Sequence, residues 1–464
     1  MISLRRSIAG SLLLLVLVFG CLPSAYALPA FARKYGLRCS ACHESWPMLN
    51  YFGQKFKDNG YQLMNDRDAP IWQNPSYWPV TFRITPIWHR VSTGKVPVDE
   101  GTGQNNGVAR VESSGFDLSG LDFHTGGTLE KNFSFYVLPS SDATASFHFE
   151  TVMGRLDNLF GSSWLNVKLG KFELDNLLSE KRILTLTANG GIYQTYHFIP
   201  QGDNNIFGQI GDNQLGLEYM GHSADDRTRV SAALISSSDG NVGLITGANS
   251  YTGFFTASQA FDTGKLGVQR IGFYDMVGEA ATMYRTSAGV PIPGSGIGNK
   301  GFNRIGFVGQ FYFGPHFDLQ VVTQHGTDNA WFGQGYGNAT DPSNGTAAND
   351  LPNATPGTVL PATARAPSWN GATFEAHYVY SPQLIFIGRF ELERMSQQGT
   401  VGTPSTLGNI TTYTIGYRYN PFMTSRAGFA WHNEYNWLHQ DGTGPQPGQN
   451  VNSSELLIGF DFDF

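Results

Sequence analysis

Residues 39 to 43 read Cys-Ser-Ala-Cys-His. Two thiols at this spacing, followed at once by an imidazole, form the attachment pattern of a c-type haem. The thiols reach the two vinyl groups on one edge of the macrocycle, and the next imidazole falls under the iron. Cys39 and Cys42 are therefore expected to carry the covalent links of one haem c, with His43 as proximal ligand. A disulfide or half of a zinc site would use the same residues. No second Cys or His pair with ligand spacing follows nearby, which weighs against zinc.

The chain has three cysteines, and Cys21 stands apart from the other two. It lies in a stretch with Arg5 and Arg6, an apolar run from Ile8 to Leu22, and Ala25-Tyr26-Ala27. That order of charge, apolar run and small residues predicts an export signal over residues 1–27, removed together with Cys21. A lipid anchor on Val18-Phe19-Gly20-Cys21 is the alternative, and the bulky Phe19 counts against it. Export agrees with c-type attachment, which occurs in the periplasm.

The elements that position these residues are of a different kind. The 464-residue chain has 56 glycines, 13% aromatic and 14% charged residues, and a net charge of −7. The charge gives no support for nucleic-acid binding. After the export segment no apolar run approaches the ~18 residues of a membrane helix. Short alternating segments separated by Gly, Asn, Asp and Pro clusters predict an all-β protein instead. Candidate strands begin near Val80, Phe116, Phe133, Ser146, Trp164, Asn213, Arg229 and Ser250. Others begin near Leu266, Asn303, Phe317, Asn370, Ile385, Thr411, Arg426 and Leu456. About sixteen is an even number in the range of transmembrane antiparallel β-barrels of the outer membrane. The connectors alternate in length, short at Asp262-Thr263-Gly264, Gly314-Pro315-His316, Ser381-Pro382-Gln383 and Pro421-Phe422-Met423. Long ones cover residues 91–115, 174–212, 279–302, 329–369 and 439–454. Short periplasmic turns and long outer loops are the rule for such barrels.

Alternation assigns the faces. Phe429, Trp431, Tyr435 and Trp437 form one row, against His432, Glu434 and Asn436. Leu456, Ile458, Phe460, Phe462 and Phe464 oppose Asp461 and Asp463. The apolar rows should meet outer-membrane lipid and the polar rows the lumen. Trp88, Trp164 and Trp437 suit the interfacial girdles. A last strand ending on an aromatic resembles the assembly signal of bacterial outer-membrane proteins.

The expected organisation is an export segment (1–27), a small α-helical haem module (28–65), a linker (66–78) and a porin-like barrel (79–464). In the module, Pro47 marks a helix start, Leu49, Phe52, Phe56 and Tyr61 recur near helical spacing, and Gly60 marks its stop. So small a module lacks the core to bury a haem alone, so it is expected to plug or cap the periplasmic mouth. Met64, past the helix, is a candidate distal ligand to the haem iron. Met48 is too close to His43 to reach the far side easily. His89, His148, His377 and His432 are lumen alternatives. Arg83, Glu150, Lys168, Glu375, Arg389, Glu391, Glu393, Asp461 and Asp463 give the lumen mixed charge, able to attract a divalent cation or a basic partner.

The run from Pro29 to His43, Pro-Ala-Phe-Ala-Arg-Lys-Tyr-Gly-Leu-Arg-Cys-Ser-Ala-Cys-His, resembles the start of the fused outer-membrane monohaem cytochrome c–porins of iron-oxidising bacteria. The segment Trp46 to Tyr61 agrees with that family's post-haem region. Over the barrel the resemblance is one of architecture. It implies one c-type haem on Cys39, Cys42 and His43, oxidation of extracellular Fe(II), and electron delivery to a periplasmic carrier such as a soluble cytochrome. Similar fusions also occur in bacteria not known as iron oxidisers. The chemistry would be a one-electron step, and no acid–base pair or nucleophile stands out. Two further functions fit the sequence: a solute porin with a redox-sensitive haem plug, and a conduit exporting electrons to an outside acceptor.

Overall fold

The computed structural model describes residues 30–45, 48–63, 70–71, 79–98, 107–141, 146–175, 177, 184–185, 214–236, 251–281, 284–285, 291–292, 299–328, 366, 368–396, 409–423, 427–441 and 450–463. The export segment, Trp46, Pro47, Met64 and Phe464 lie outside these residues. Sixteen strands close into one barrel. They are β1 Val80–Val98, β2 Gly107–Glu130, β3 Phe133–Ser141, β4 Phe147–Leu156, β5 Asn166–Phe172, β6 Gln214–His222, β7 Thr228–Ser236 and β8 Tyr251–Asp262. The circuit continues through β9 Val268–Ala281, β10 Asn299–Tyr312, β11 Phe317–Asp328, β12 Ser368–Ser381, β13 Leu384–Met395, β14 Ile410–Met423, β15 Gly428–Gln440 and β16 Val451–Asp463. Each strand pairs antiparallel with the next, and β16 pairs with β1 to close the wall.

Closure explains how a chain with so few charges crosses lipid. Every wall strand has two neighbours, so no sheet edge leaves backbone groups facing hydrocarbon. Among the described residues no helix is long and apolar enough to cross a membrane. The outside is an apolar band with Phe255, Ile271, Val277, Phe307, Phe386, Ile415 and Trp431 exposed on it. On this band Phe422, Phe429 and Phe460 stack across three strands. The alternate positions are buried and polar: His432, Glu434 and Asn436 on β15, and Glu455, Asp461 and Asp463 on β16. The face assignment of these two strands is as the alternation predicts.

Several boundaries differ from the sequence expectation. β1 and β2 run on as a long ribbon, pairing Val98 with Gly107, so most of the expected 91–115 loop is strand. The pairing of β16 likewise reaches back to Val451. Pro421-Phe422-Met423 is not the turn itself. It is the end of β14, with a register shift between Tyr419 and Phe422 that accommodates the proline, as bulges do in sheets. Glu150 is skipped where Pro139 faces Phe149 and Leu138 faces Thr151, which takes it out of the regular inward row.

Residues 30–63 sit against the inner wall as three short helices: α1 Ala30–Tyr35, α2 Cys39–Cys42 and α3 Tyr51–Asp58. Between α2 and α3, His43–Ser45 and Met48–Leu49 form a minimal antiparallel pair. The helix expected from Pro47 therefore starts later. Asn50 caps it by accepting from the Gly53 N–H at 2.9 Å, and Leu49 belongs to the extended pair rather than to the helical face. Gly60 ends the segment with φ +73°, and a Cβ there would stand 2.2 Å from the Asp157 carboxyl carbon in the turn after β4. A left-handed conformation and the close approach both require glycine.

Candidate functional site

The contacts of residues 30–63 cluster at one end of the barrel. The backbone N–H of Ala30 donates to the Thr81 hydroxyl at 2.7 Å. Lys34 donates to the Thr128 hydroxyl at 3.0 Å, and Tyr51 donates to the Asp225 carbonyl at 2.7 Å. Ser45 and Asn420 exchange contacts at 3.2–3.4 Å. Thr81 begins β1, Thr128 and Asn420 stand near strand ends, and Asp225 is in the β6–β7 turn. All lie at the end with short connections, which is the periplasmic end in bacterial outer-membrane barrels.

Ion pairs fix this plug. Arg229 on β7 meets Asp58 at 2.7 Å and Asp175 at 2.9 Å. Lys57 meets Glu173 at 3.1 Å, and Arg155 donates to the Lys57 carbonyl at 2.7 Å and to the Asp58 carbonyl. Asp226, in the turn before β7, faces Arg229 and Arg270 at 3.9 and 3.7 Å. Burial, then the neighbouring Asp58 carboxylate, pushes Asp226 up to about 7. An aromatic cluster completes the seat: Phe31 stacks on Tyr61 at 4.9 Å, Phe56 meets both Phe31 and Tyr35 edge-on at 5.3 Å, and Tyr61 stacks on Tyr136 of the wall. Phe56 and Tyr61 are thus buried, whereas Phe52 is exposed.

Cys39 and Cys42 begin and end the single turn α2 and are not joined by a disulfide. Both thiols are partly buried, and burial pushes Cys39 up to about 12 and Cys42 to about 11. His43 follows in extended conformation, paired with Leu49. The donor set suits a c-type haem: two sulfurs one turn apart, unlinked to each other, with an imidazole on the next residue.

The distal candidates fare differently. Met64 lies outside the described residues. Met48 is buried against Leu184, Ile385 and Ile387. His89 stands 3.7 Å from Glu455, and His148 is exposed near the start of β4. His377 is buried with Nδ1 2.8 Å from Asp318 and Nε2 2.8 Å from Glu375, so both ring nitrogens are engaged. His432 faces Asp461 at 3.5 Å.

Sequence reading missed Glu44, Tyr312 and Asp318. Glu44, next to His43, accepts from the Tyr312 hydroxyl at 3.2 Å, and burial and Asp318 push it up to about 7. Asp318 contacts His377, which contacts Glu375. Arg389 then links Glu375 at 3.8 Å and Glu391 at 3.3 Å, and Glu393 follows two positions further along β13. A line of charged side chains thus runs along β12 and β13 from the plug toward the long-loop end. The connection between β5 and β6 also reaches the lumen wall, where the Leu184 N–H and the Thr185 hydroxyl donate to Glu375 at 2.7 and 2.6 Å. Of the stretch 177–186 in this long connector, where the sequence allows a hairpin or a helix, only residues 177, 184 and 185 are among those described.

No protein-family model and no curated protein matches the chain. Among solved structures it is similar to an anion-selective porin from Comamonas acidovorans, with a TM-score of 0.52 and 11% identity, over 83% of this chain and 98% of that one. It is also similar to the outer membrane channel DcaP of Acinetobacter baumannii, with a TM-score of 0.48 and 11% identity, over 83% and 97%. The first likeness shows the fold, a porin-like closed β-barrel.

Proposed function

We propose that this barrel is an outer-membrane electron-transfer cytochrome–porin that oxidises extracellular Fe(II) and passes the electron to a periplasmic carrier such as a soluble cytochrome. The observation that carries the reading is the Cys39–Cys42 turn with His43, held inside the short-turn end of a closed barrel. Cys39 and Cys42 would tether the macrocycle and His43 would be its proximal ligand, with Met64 the candidate on the other side. A haem bound there supplies a one-electron acceptor without proton transfer.

The remaining roles belong to the chain's own groups. The membrane core is about 30 Å thick, so a group at the periplasmic mouth cannot touch both faces. A donor has to approach through the lumen. Glu391 and Glu393 carry carboxylate oxygens of the kind ferrous iron accepts, and they stand along the wall that leads to Glu44 and His43, whereas both oxygens of Glu375 are taken by Leu184, Thr185 and His377. The plug's ion pairs with Arg229 and Arg155 keep the site at the mouth, where a periplasmic partner can reach it.

The test is optical. The purified, oxidised protein is mixed with Fe(II) under anoxic conditions at near-neutral pH, and the reduced-haem α band is followed. Rapid reduction is expected, and Cys39→Ala and Cys42→Ala together should abolish it. A chain reduced by dithionite but not by Fe(II), and reoxidised by ferric species, would sink the iron-oxidising direction and favour electron export. The porin fold supports one other reading, a solute porin with a redox-sensitive plug. Bilayer conductance that changes with oxidation state would select it.

A further inference from the structure

The turn that carries the two cysteines is closed by little of its own, the His43 N–H donating to the Cys39 carbonyl and the Ala41 N–H to the Arg38 carbonyl at 2.9 Å. Arg38 precedes it in extended conformation and gives no side-chain cap. A lone turn fixes several dihedrals for very little hydrogen bonding, and its last carbonyls find no partner within it. Asn50 supplies what the turn lacks. Its backbone N–H donates to the Cys42 carbonyl at 2.9 Å. Its side-chain Nδ2 donates to the Ala41 carbonyl at 3.1 Å. Its Oδ1 accepts from the Gly53 N–H at 2.9 Å, so the same side chain also caps α3. One residue therefore ties the cysteine turn to the start of the next helix.

Gly53 makes the approach sterically feasible. A Cβ at this position would stand 2.1 Å from the Cys42 carbonyl oxygen and 2.9 Å from its carbon. Both are backbone atoms, which cannot swing aside as a flexible side chain would. Any other residue would lift α3 off the turn. His43, directly after the turn, is held on the other side by its pairing with Leu49.

We infer that Asn50 and Gly53 are positioning residues that hold the Cys39–Cys42 turn and His43 in register for attachment of one haem. The inference rests on the haem reading above for its purpose. The clamp itself is a property of the chain and can be tested without it.

The experiment uses the full chain with its export segment, as Asn50→Ala, Asn50→Asp and Gly53→Ala. Heat-modifiable gel mobility reports whether the barrel has closed, and haem absorbance per barrel reports covalent attachment. Closed barrels with a several-fold loss of haem are expected for Asn50→Ala and Gly53→Ala. Asn50→Asp should fall between them and the parent, because it keeps the cap acceptor and loses the donor to Ala41. In the haem that remains, the midpoint potential should shift, which a role confined to barrel folding would not cause. Haem content and potential as in the parent overturn the inference. If the parent carries no covalent haem, the function proposed above falls, and alkylation of Cys39 and Cys42 decides about the clamp. A several-fold faster rate in Asn50→Ala and Gly53→Ala supports it, and an unchanged rate overturns it.

Discussion

The lumen wall has two unlike halves. Strands β7 to β11 turn Ile235, Phe254, Tyr274, Met276, Phe302 and Val322 inward, where they join Phe172, Leu174 and Leu177 and the plug residues Tyr35, Phe56 and Tyr61 in one buried cluster. Strands β12 to β16, with β1, turn inward Glu375, His377, Arg389, Glu391, Arg418, His432, Asp461 and Arg83. Here the contacts are ionic, with Arg83 bridging Asp122 at 3.1 Å and Asp461 at 3.3 Å. The first half seats the plug on an apolar patch, to which the pair of Arg229 with Asp58 adds an ionic tie. The second is a buried network of paired charges. Two kinds of contact are thus divided around the circumference of one barrel.

The comparison breaks first at Phe254, which is buried on the apolar half between Met276 and Ala233. Phe254→Asp should cost on the order of 5 kcal/mol, because it strands a carboxyl among apolar groups, whereas Phe254→Leu, which keeps the site apolar, should cost about 2 kcal/mol. Thermal midpoints in detergent would measure both. An aspartate tolerated as well as the leucine would mean that this half is wet, and the division would fail. On the charged half, His377→Ala removes both 2.8 Å contacts, to Asp318 and to Glu375. The expected loss is about 2–3 kcal/mol, since each bond involves a charged group and the carboxylates stay behind. A loss within ~0.5 kcal/mol, as at an ordinary surface position, would show that the ionic half is solvent-filled rather than knit together.

The smallest effect lies at the seam between plug and wall. Asp226 faces Asp58, Asp175, Arg229, Arg270, His222 and Tyr51. Its carboxyl is raised to about 7 by burial and then by Asp58. Between the ordinary carboxylate range and that value the folded protein binds a proton that the unfolded chain has released. Stability from this group therefore falls as pH rises across the window and is flat above it. Thermal unfolding at pH 5 and pH 8 should show the slope, and Asp226→Asn should flatten it. An Asn variant with the parent's full slope would assign the titration to another group.

How much of this was legible follows from the same division. On β15 and β16 the alternation is unambiguous, because Trp431 and Phe460 oppose His432 and Asp461. On β8, Phe254 and Phe255 are adjacent, one buried in the lumen cluster and the other exposed on the lipid side. Period-two reasoning has no contrast to work with there, so the apolar half of the lumen stayed hidden. The cysteine–histidine motif is local in sequence, and the structure keeps it together as one turn followed by an extended residue. Glu44, Asp318 and Tyr312 were not legible, since they meet only when strands distant in sequence close the circle. The start of α3 did carry a signal: Asn50 is a preferred cap residue, and Pro47 drew the boundary too early.

The hold of β1 and β2 on the leading segment bears on biogenesis. The backbone N–H of Ile71 donates to the Thr128 carbonyl at 3.1 Å, and Ala30 is tied to Thr81, so both ends of the leading segment are held to these two neighbouring strands. A finished cylinder leaves little room to thread such a segment in afterwards. Seating the leading segment is sterically simplest while the wall is still an open sheet, with the pairing of β16 to β1 closing the circle over it.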